Sequence, residues 1–355
     1  ARAGAIAIDE TDLLRRIAEQ LLRSGRMSEG VGALGQALAL FGLRYPAHPA
    51  EALATLLATR ARLRLRGTRF RERPEGEIAP ESLQRIDLCW SAGVGLSFVD
   101  SLRGAGFLAR SLLDALDAGD PYRIARSLAY EAAFQANQGR RGERSARATL
   151  ARATELAERI GDPHLRALIP GARCLIEFHN GRWRGALARA DEAAGRFVED
   201  AVGMAKEVVT VQLLGAAALV FLGDYDALRD RIPRVIRLAE RRGDLFALTS
   251  FRSGFTNALW LADDDPERAR REAVEGFRGW EPKEYVIQHF FDLWARTQID
   301  LYEGDGLAAA ARVDAGWARL KGSLLTRMPF LRIAAHDLAG RARLAGGAPK
   351  RVVSR

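Results

Sequence analysis

Three glycines in this sequence have the spacing of a nucleotide-binding loop. Gly30, Gly32 and Gly35 match the G-x-G-x-x-G pattern, in which glycines let the backbone approach a pyrophosphate. A dinucleotide site also needs a strand before the loop and a helix that opens at it. Here the glycines lie inside a predicted helix pair, so we interpret them as helix-packing residues. The Gly-Asp-Pro sequences at 119–121 and 161–163 lack the Gly-rich loop and the lysine of a phosphate site, and they indicate turns between repeats.

The histidines do not have the spacing of metal ligands. None of the five is three or four residues from another, whereas a zinc site needs three or four converging ligands. They are His48, His164, His179, His289 and His336. The sequence therefore predicts no metal site and no cofactor. The two cysteines, Cys89 and Cys174, lie in apolar helical contexts and are predicted to be buried free thiols of a reducing, cytoplasmic protein.

The carboxylates offer no acid–base pair. Asp263, Asp264 and Asp265 are consecutive, and side chains of adjacent residues point apart, so they suit general acid–base catalysis poorly. We expect them to form a turn and to cap a helix that begins at Pro266. Since no serine lies in a nucleophile-elbow sequence either, we predict that this chain is not an enzyme.

The charge of the chain leaves two interpretations open. The formal net charge is +9 and the isoelectric point is about 10.1, which favours a nucleic-acid partner. However, only four of the 54 basic residues are lysines, and this arginine excess is typical of a GC-rich coding bias and a solvated surface. The longest apolar run, Leu213–Leu222, is about half the length that a helix needs to span a bilayer. Because the chain begins with Ala and ends in a loose tail, we expect it to be a fragment of a longer protein.

A repeat with a period of about 41 residues organises most of the chain. Gly139, Gly181 and Gly223 follow one another at equal intervals of about that length, and Gly304 comes after roughly twice the interval, with Asp264 near the midpoint. Each of these glycines follows an apolar helix end and precedes a second helix rich in Ala and Leu. A fixed period of this length is the signature of a repeat architecture.

Each repeat predicts a pair of helices. Asp120 and Asp162 precede prolines, as expected of N-caps followed by proline at the first helical position. Apolar residues then follow a helical period, and no segment alternates with the period of a strand. One such pair cannot bury its apolar face alone, so neighbouring pairs must stack. We therefore predict an all-α fold, a solenoid of antiparallel helix pairs.

The pattern divides the chain into four parts. Residues 1–67 contain a helix pair that turns at Ser24-Gly25 and an unpaired helix that begins at Pro49. Residues 68–79, with Pro74 and Gly76, form either a hinge or docking loop or a plain surface insertion. Residues 80–345 form the regular array, and 346–355 are predicted to be a disordered tail.

One repeat resembles a known family. The frame Leu175, Gly181, Trp183, Ala186, Ala190 and Ala193 resembles the tetratricopeptide signature, although the usual unit has about 34 residues. The longer form resembles the superhelical sensor arms of MalT-like signalling ATPases, and this resemblance implies that the all-α solenoid of antiparallel helix pairs is a right-handed superhelix. Residues 85–129 are also similar to the region downstream of the kinase and ATPase modules in large bacterial Ser/Thr kinases. No kinase, Walker or DNA-binding helix-turn-helix motif is present, so the resemblance implies that such modules lie outside these residues.

The resemblance also implies a function and a site. It implies a non-catalytic arm of a multidomain bacterial signalling protein, which binds a protein, a peptide or a small effector. In such arrays the first helix of each pair lines the concave face. The residues placed there by repeat position are Arg126, Asn137, Arg173, His179, Arg252, Asn257, Phe291, Trp294 and Gln298. The aromatic segment 289–302 is either entirely core or partly exposed in this groove. A basic, nucleic-acid-binding helical solenoid is the alternative function.

Overall fold

The computed structural model describes residues 2–97, 100–200, 205–280 and 285–347. Within those ranges it contains seventeen α-helices, three short 3₁₀ turns and no strand, which confirms the predicted all-α helical repeat fold. The helices are α1 Arg2–Arg23, α2 Met27–Leu40, α3 Pro49–Arg66, α4 Pro80–Leu96, α5 Ser101–Ala118, α6 Pro121–Ala136, α7 Arg140–Ile160, α8 Pro163–His179, α9 Trp183–Asp200, α10 Ala205–Leu222, α11 Tyr225–Arg242, α12 Leu245–Arg252, α13 Ala258–Ala262, α14 Pro266–Gly276, α15 Ile287–Tyr302, α16 Gly306–Gly322 and α17 Pro329–Ala345. The 3₁₀ turns are Glu75–Glu77, Gly254–Asn257 and Leu324–Arg327. Of the predicted tail, residues 348–355 lie outside the described residues.

The turn residues that mark the repeat adopt left-handed backbone conformations. The φ angles of Gly139, Gly181, Gly223 and Gly304 lie between +60° and +81°. Asp264, at the midpoint between the last two, has φ +57° and is the only non-glycine with positive φ in the described part of the chain. Aspartate tolerates this region better than most residues, so it replaces glycine there without breaking the repeat.

Aspartate side chains cap the N-termini of helices, as expected. The Asp120 carboxylate accepts a hydrogen bond from the backbone N–H of Arg123 at 2.7 Å. Asp265 does the same for Arg268 at 2.8 Å, which confirms the predicted cap of the helix that begins at Pro266. Each bond satisfies one of the four N–H groups that a helix leaves unpaired at its start.

The chain forms two compact units. Unit 1 comprises residues 1–136, 142–173 and 196–202, and unit 2 comprises residues 137–141, 174–195 and 203–355. Helices α8 and α9 each contribute to both units. The main core of unit 1 joins α1, α2, α4 and α5 and consists of Ala18, Leu34, Ala37, Leu38, Leu88, Cys89, Ala92, Leu96 and Phe107.

Helix α3, which has no partner in the sequence pattern, packs against α5. Leu56 is buried with Ala105 and Ala109, and these three residues form a second, small core in unit 1. On the same helix, Arg60 pairs with Glu131 of α6 at 2.5 Å. Helix α3 is therefore part of unit 1 although it does not belong to the repeat pattern.

The 68–79 segment is bound to the surface of unit 1. The backbone N–H of Arg73 donates to the Gly119 carbonyl at 3.0 Å, in the turn between α5 and α6. Arg152 of α7 donates to the Thr68 carbonyl at 2.9 Å, and Arg159 pairs with Glu72 at 2.6 Å. These bonds fix both halves of the segment against the α5–α6 turn and α7.

In unit 2 the first helix of one repeat is interrupted. Helix α12 ends at Arg252 and a 3₁₀ turn leads into the short α13. Gly254 in this turn has φ +71°, and a Cβ atom there would lie 2.9 Å from the ring of Phe291. The break therefore lets the backbone pass close to the Phe291 ring, which no other residue type would permit without strain.

Candidate functional site

A cluster of polar and aromatic side chains lies where α4, α6 and α8 meet in unit 1. We call it the Trp90 cluster, and it consists of Asp87, Trp90, Tyr122, Arg126 and His164. The Arg126 guanidinium lies 4.2 Å from the centre of the Trp90 ring, and its Nη2 donates to Asp87 Oδ1 at 2.6 Å. A 2.5 Å hydrogen bond joins Tyr122 Oη and His164 Nδ1. Tyr122 and Arg126 are four residues apart on α6, so they share one face of that helix.

Two arginines hold Asp87. Besides Arg126, Arg123 donates to both of its carboxylate oxygens, at 3.0 and 2.7 Å. Burial acts to raise the pKa of Asp87, but the charges and hydrogen bonds of Arg126 and Arg123 lower it below its ordinary value. Asp87 is therefore a fixed anion and is not available as a proton acceptor at neutral pH.

Three nitrogen atoms of the Trp90 cluster are buried without a hydrogen-bond partner. They are Trp90 Nε1, Arg126 Nε and His164 Nε2. Arg126 is only 6% exposed, so solvent does not replace the missing acceptor. Burial lowers the pKa of His164 to about 4, which keeps its ring neutral. Each unpaired buried polar group costs about 1–3 kcal/mol. The Trp90 cluster therefore contains buried N–H donors that could form hydrogen bonds with an acceptor from a bound molecule.

A second cluster, made of aromatic rings, lies in unit 2. We call it the Phe330 cluster, and it consists of Phe178, Trp183, Phe221, Phe255 and Phe330. Phe330, at the start of α17, has its ring centre 4.9 Å from that of Phe178, 5.8 Å from Phe221 and 5.7 Å from Phe255. Trp183 stacks on Phe221 at 4.6 Å. Such distances are typical of favourable aromatic pairs.

The Phe330 cluster extends towards α15 and α8. Phe255 lies 4.8 Å from Trp294 and 5.8 Å from Phe291, so both α15 rings pack against it. The ring centre of His179, on α8, lies 6.2 Å from that of Phe330. Burial lowers the pKa of His179 to about 4, and its Nδ1 has no hydrogen-bond partner.

The nine predicted groove residues divide between the two units. Arg126 and Arg173 belong to unit 1 and the other seven to unit 2. Four are buried, namely Arg126, Asn257, Phe291 and Trp294. Arg173 is exposed, and Asn137, His179, Arg252 and Gln298 are partly exposed. The structure brings Phe291, Trp294 and His179 together around the Phe330 cluster, while Arg126 lies in the Trp90 cluster.

Asn257 and Arg252 are engaged within unit 2. The Asn257 side-chain amide donates to the carbonyls of Arg252 and Ala269, both at 2.9 Å. Arg252 pairs with Glu240 at 2.5 Å, Glu272 at 3.4 Å and Glu275 at 3.6 Å. Both side chains therefore hold neighbouring helices together.

We expect Arg252→Met to destabilise the protein by about 1–2 kcal/mol, because it leaves three partly exposed carboxylates without their shared cation. Arg229→Met is the matched control, since Arg229 also pairs with two carboxylates, Asp226 and Asp263, but at the exposed surface. Urea unfolding followed by circular dichroism measures both variants. Equal unfolding midpoints for the two would contradict the structural role of Arg252.

Sequence reasoning missed several residues of both clusters. Tyr122 and Tyr130 flank Arg126 at four residues on either side, and this spacing was a local signal for an aromatic face on α6. Phe330 offers no comparable signal, since its ring partners lie on helices and turns of much earlier repeats.

Neither cysteine is suited to nucleophilic chemistry. Cys89 and Cys174 are buried free thiols, as predicted, and burial raises the pKa of each to about 12. Within the described residues, no group of three or more His, Cys, Asp or Glu side chains is placed to hold a metal ion. In the same part of the chain, no helix is both long and apolar enough to cross a membrane.

No family model matches the chain, and no curated protein matches it.

Proposed function

We propose that this chain is a non-catalytic protein-interaction or effector-sensing arm of tetratricopeptide type, part of a multidomain bacterial signalling protein of the cytoplasm. The unpaired nitrogens of the Trp90 cluster carry this proposal. Buried donors without acceptors are unfavourable in the free protein, and a bound partner that supplies the acceptor removes that cost.

The chemistry of the Trp90 cluster defines the group that it binds. Trp90 Nε1 and Arg126 Nε are N–H donors, and both lack a partner. Their complement is an oxygen acceptor, either a peptide carbonyl or a carboxylate. Because Asp87 already balances part of the arginine charge, a neutral carbonyl suits the cluster as well as an anion does. A peptide backbone and a small organic acid both offer such oxygens.

The same arrangement suits binding better than catalysis. Asp87 is held by two arginines, and the His164 ring is committed through Nδ1 to Tyr122. General acid–base catalysis needs a group that exchanges protons near the working pH. The low pKa of His164, about 4, is far from that range.

Trp90→Phe is expected to weaken peptide binding roughly tenfold, because it removes one N–H donor and keeps an aromatic ring beneath Arg126. Peptides selected from a random dodecapeptide library on the full chain serve as probes, and calorimetry measures their affinity. Trp317→Phe is the matched control, since Trp317 lies on α16 against His336. Equal affinity for wild type and Trp90→Phe would contradict the role of the Trp90 cluster, and a library that yields no binding peptide would contradict the proposed interaction function.

The alternative function is that of a nucleic-acid-binding helical solenoid. Many arginines form ion pairs with carboxylates, as Arg270 does with Glu267 and Glu303, and this reduces the positive charge available to phosphates. Binding of a random DNA duplex with an affinity that falls steeply with salt would favour the alternative.

A further inference from the structure

We propose that Phe330 is an internal ligand of an aromatic socket in unit 2, and that the partner of this socket is a peptide whose phenylalanine side chain takes the place of Phe330. The socket consists of Phe178, Trp183, Phe221 and Phe255. This inference is independent of the Trp90 cluster, because all of these residues belong to unit 2.

The socket surrounds one side chain from several directions. Its rings come from α8, α9, α10 and the 3₁₀ turn Gly254–Asn257, and each lies within 6.2 Å of the Phe330 ring centre. Repeat proteins ordinarily make contacts between neighbouring repeats. Phe330 instead reaches from the last helix of the described chain back to the end of α8, and its ring makes the aromatic part of this long-range contact.

The socket is open to solvent. Phe330 is only partly buried although four rings surround it, and Trp183 and Phe221 are also partly exposed. In contrast, Phe178 and Phe255, at the base, are 2% and 6% exposed. An incoming side chain can therefore reach the socket when Phe330 leaves it.

The rest of α17 is anchored independently of the socket. Leu331, Ala334, Ala335, Leu338 and Ala339 are buried, and α17 packs against α15 and α16. The segment before Phe330 makes local hydrogen bonds, from Met328 N–H to Leu325 O at 3.1 Å and from Ser323 Oγ to Leu320 O at 2.7 Å. Withdrawal of Phe330 therefore breaks ring contacts and leaves the core of α17 in place.

The surroundings specify an uncharged aromatic side chain. The socket is lined by carbon surfaces, and His179 beside it is neutral because burial lowers its pKa to about 4. The chain itself shows a sequence that fits, Thr-Arg-Met-Pro-Phe-Leu-Arg at 326–332. The peptide TRMPFLR is therefore the natural probe, and TRMPALR is its matched control.

The first experiment uses the full chain with Phe330→Ala, which leaves an aromatic-lined space of the kind that binds small apolar groups. Fluorescence anisotropy measures the binding of labelled TRMPFLR. We expect this variant to bind it at least tenfold more tightly than wild type, because no internal ring competes. TRMPALR is expected not to bind. Equal binding of the two peptides by folded Phe330→Ala, or no binding of either, overturns the proposal.

A second experiment keeps Phe330 in place and tests the same idea if Phe330→Ala fails to fold. A Cβ atom on Gly139 would lie 3.9 Å from Pro329 Cβ, which is within disulfide range. The double variant Gly139→Cys with Pro329→Cys therefore locks the start of α17 when oxidised and frees it when reduced. A cysteine at position 139, where φ is +60°, is equally strained in the oxidised and reduced forms, so this strain does not affect their comparison. The native thiols of Cys89 and Cys174 are buried, so the new cysteines pair with each other. We expect the reduced form to bind TRMPFLR at least tenfold more tightly than the oxidised form. Equal affinities, or no binding by the reduced form at millimolar peptide, overturn the proposal.

Discussion

Gly119→Ala is expected to destabilise the protein by about 3 kcal/mol and to release the 68–79 segment from its surface. Gly119 has φ +84°, where a side chain is strained. An alanine Cβ there would also overlap the backbone oxygen of Arg71. That oxygen belongs to a segment fixed by the bond from Arg73 N–H to the Gly119 carbonyl, so the segment must move as a whole.

Limited trypsin digestion measures this release. Arg69 and Arg71 are exposed and neither precedes a proline, so both are cleavable once the segment detaches. Gly76→Ala is the matched control, because a Cβ at Gly76 meets no atom within 4 Å. We expect faster cleavage after Arg69 and Arg71 in Gly119→Ala and unchanged cleavage in Gly76→Ala. Identical digestion of the two variants would show that the segment is not held by its approach to Gly119.

The stability of the protein is expected to fall as the pH decreases from about 6.5 to 4. Burial lowers the pKa of both His164 and His179 to about 4, whereas histidine in an unfolded chain titrates near 6.5. The unfolded state therefore binds protons first, so the stabilisation is complete above pH 6.5 and disappears as the pH approaches 4. Each histidine contributes about 3 kcal/mol to this loss. Asp87 and Asp12 have pKa values below their ordinary 3.8, so they act only at lower pH.

Urea unfolding at several pH values between 4 and 7.5 tests this expectation. His164→Gln and His179→Gln remove one titrating group each, so each is expected to flatten the dependence of the unfolding free energy on pH. His48→Gln is the control, because His48 is exposed in the turn before α3. If His164→Gln and His179→Gln both keep the wild-type slope, their surroundings do not keep the two histidine rings neutral.

The repeat was predictable because its signals are local. Glycine at a left-handed turn and aspartate before a helix act within a few residues, and the structure has Gly181, Gly223 and Asp265 in those roles. The partner of α3 was not predictable. Leu56 packs against Ala105 and Ala109, which follow it in the sequence only after the 68–79 segment and the whole of α4. Nothing in the sequence of α3 specifies α5 as its partner.

The candidate site was less predictable than the fold. The position of a residue in the repeat assigns it to one helix, but the burial of its side chain depends on which rings of other helices pack against it. Trp294 is 7% exposed because Phe255 packs against it, and Phe255 occupies that place through the break at Gly254. Arg126 was recognised by position, whereas the Trp90 ring beneath it is a tertiary contact with α4.

The contact between Phe330 and Phe178 also bears on how the chain is made. A ribosome synthesises α8 several repeats before α17, so Phe178 and Phe221 emerge long before the ring that covers them. Contacts of such long sequence separation form late and leave apolar surface exposed in the meantime. During translation the nascent chain therefore exposes the aromatic surface around Phe178 and Phe221 until α17 has been synthesised.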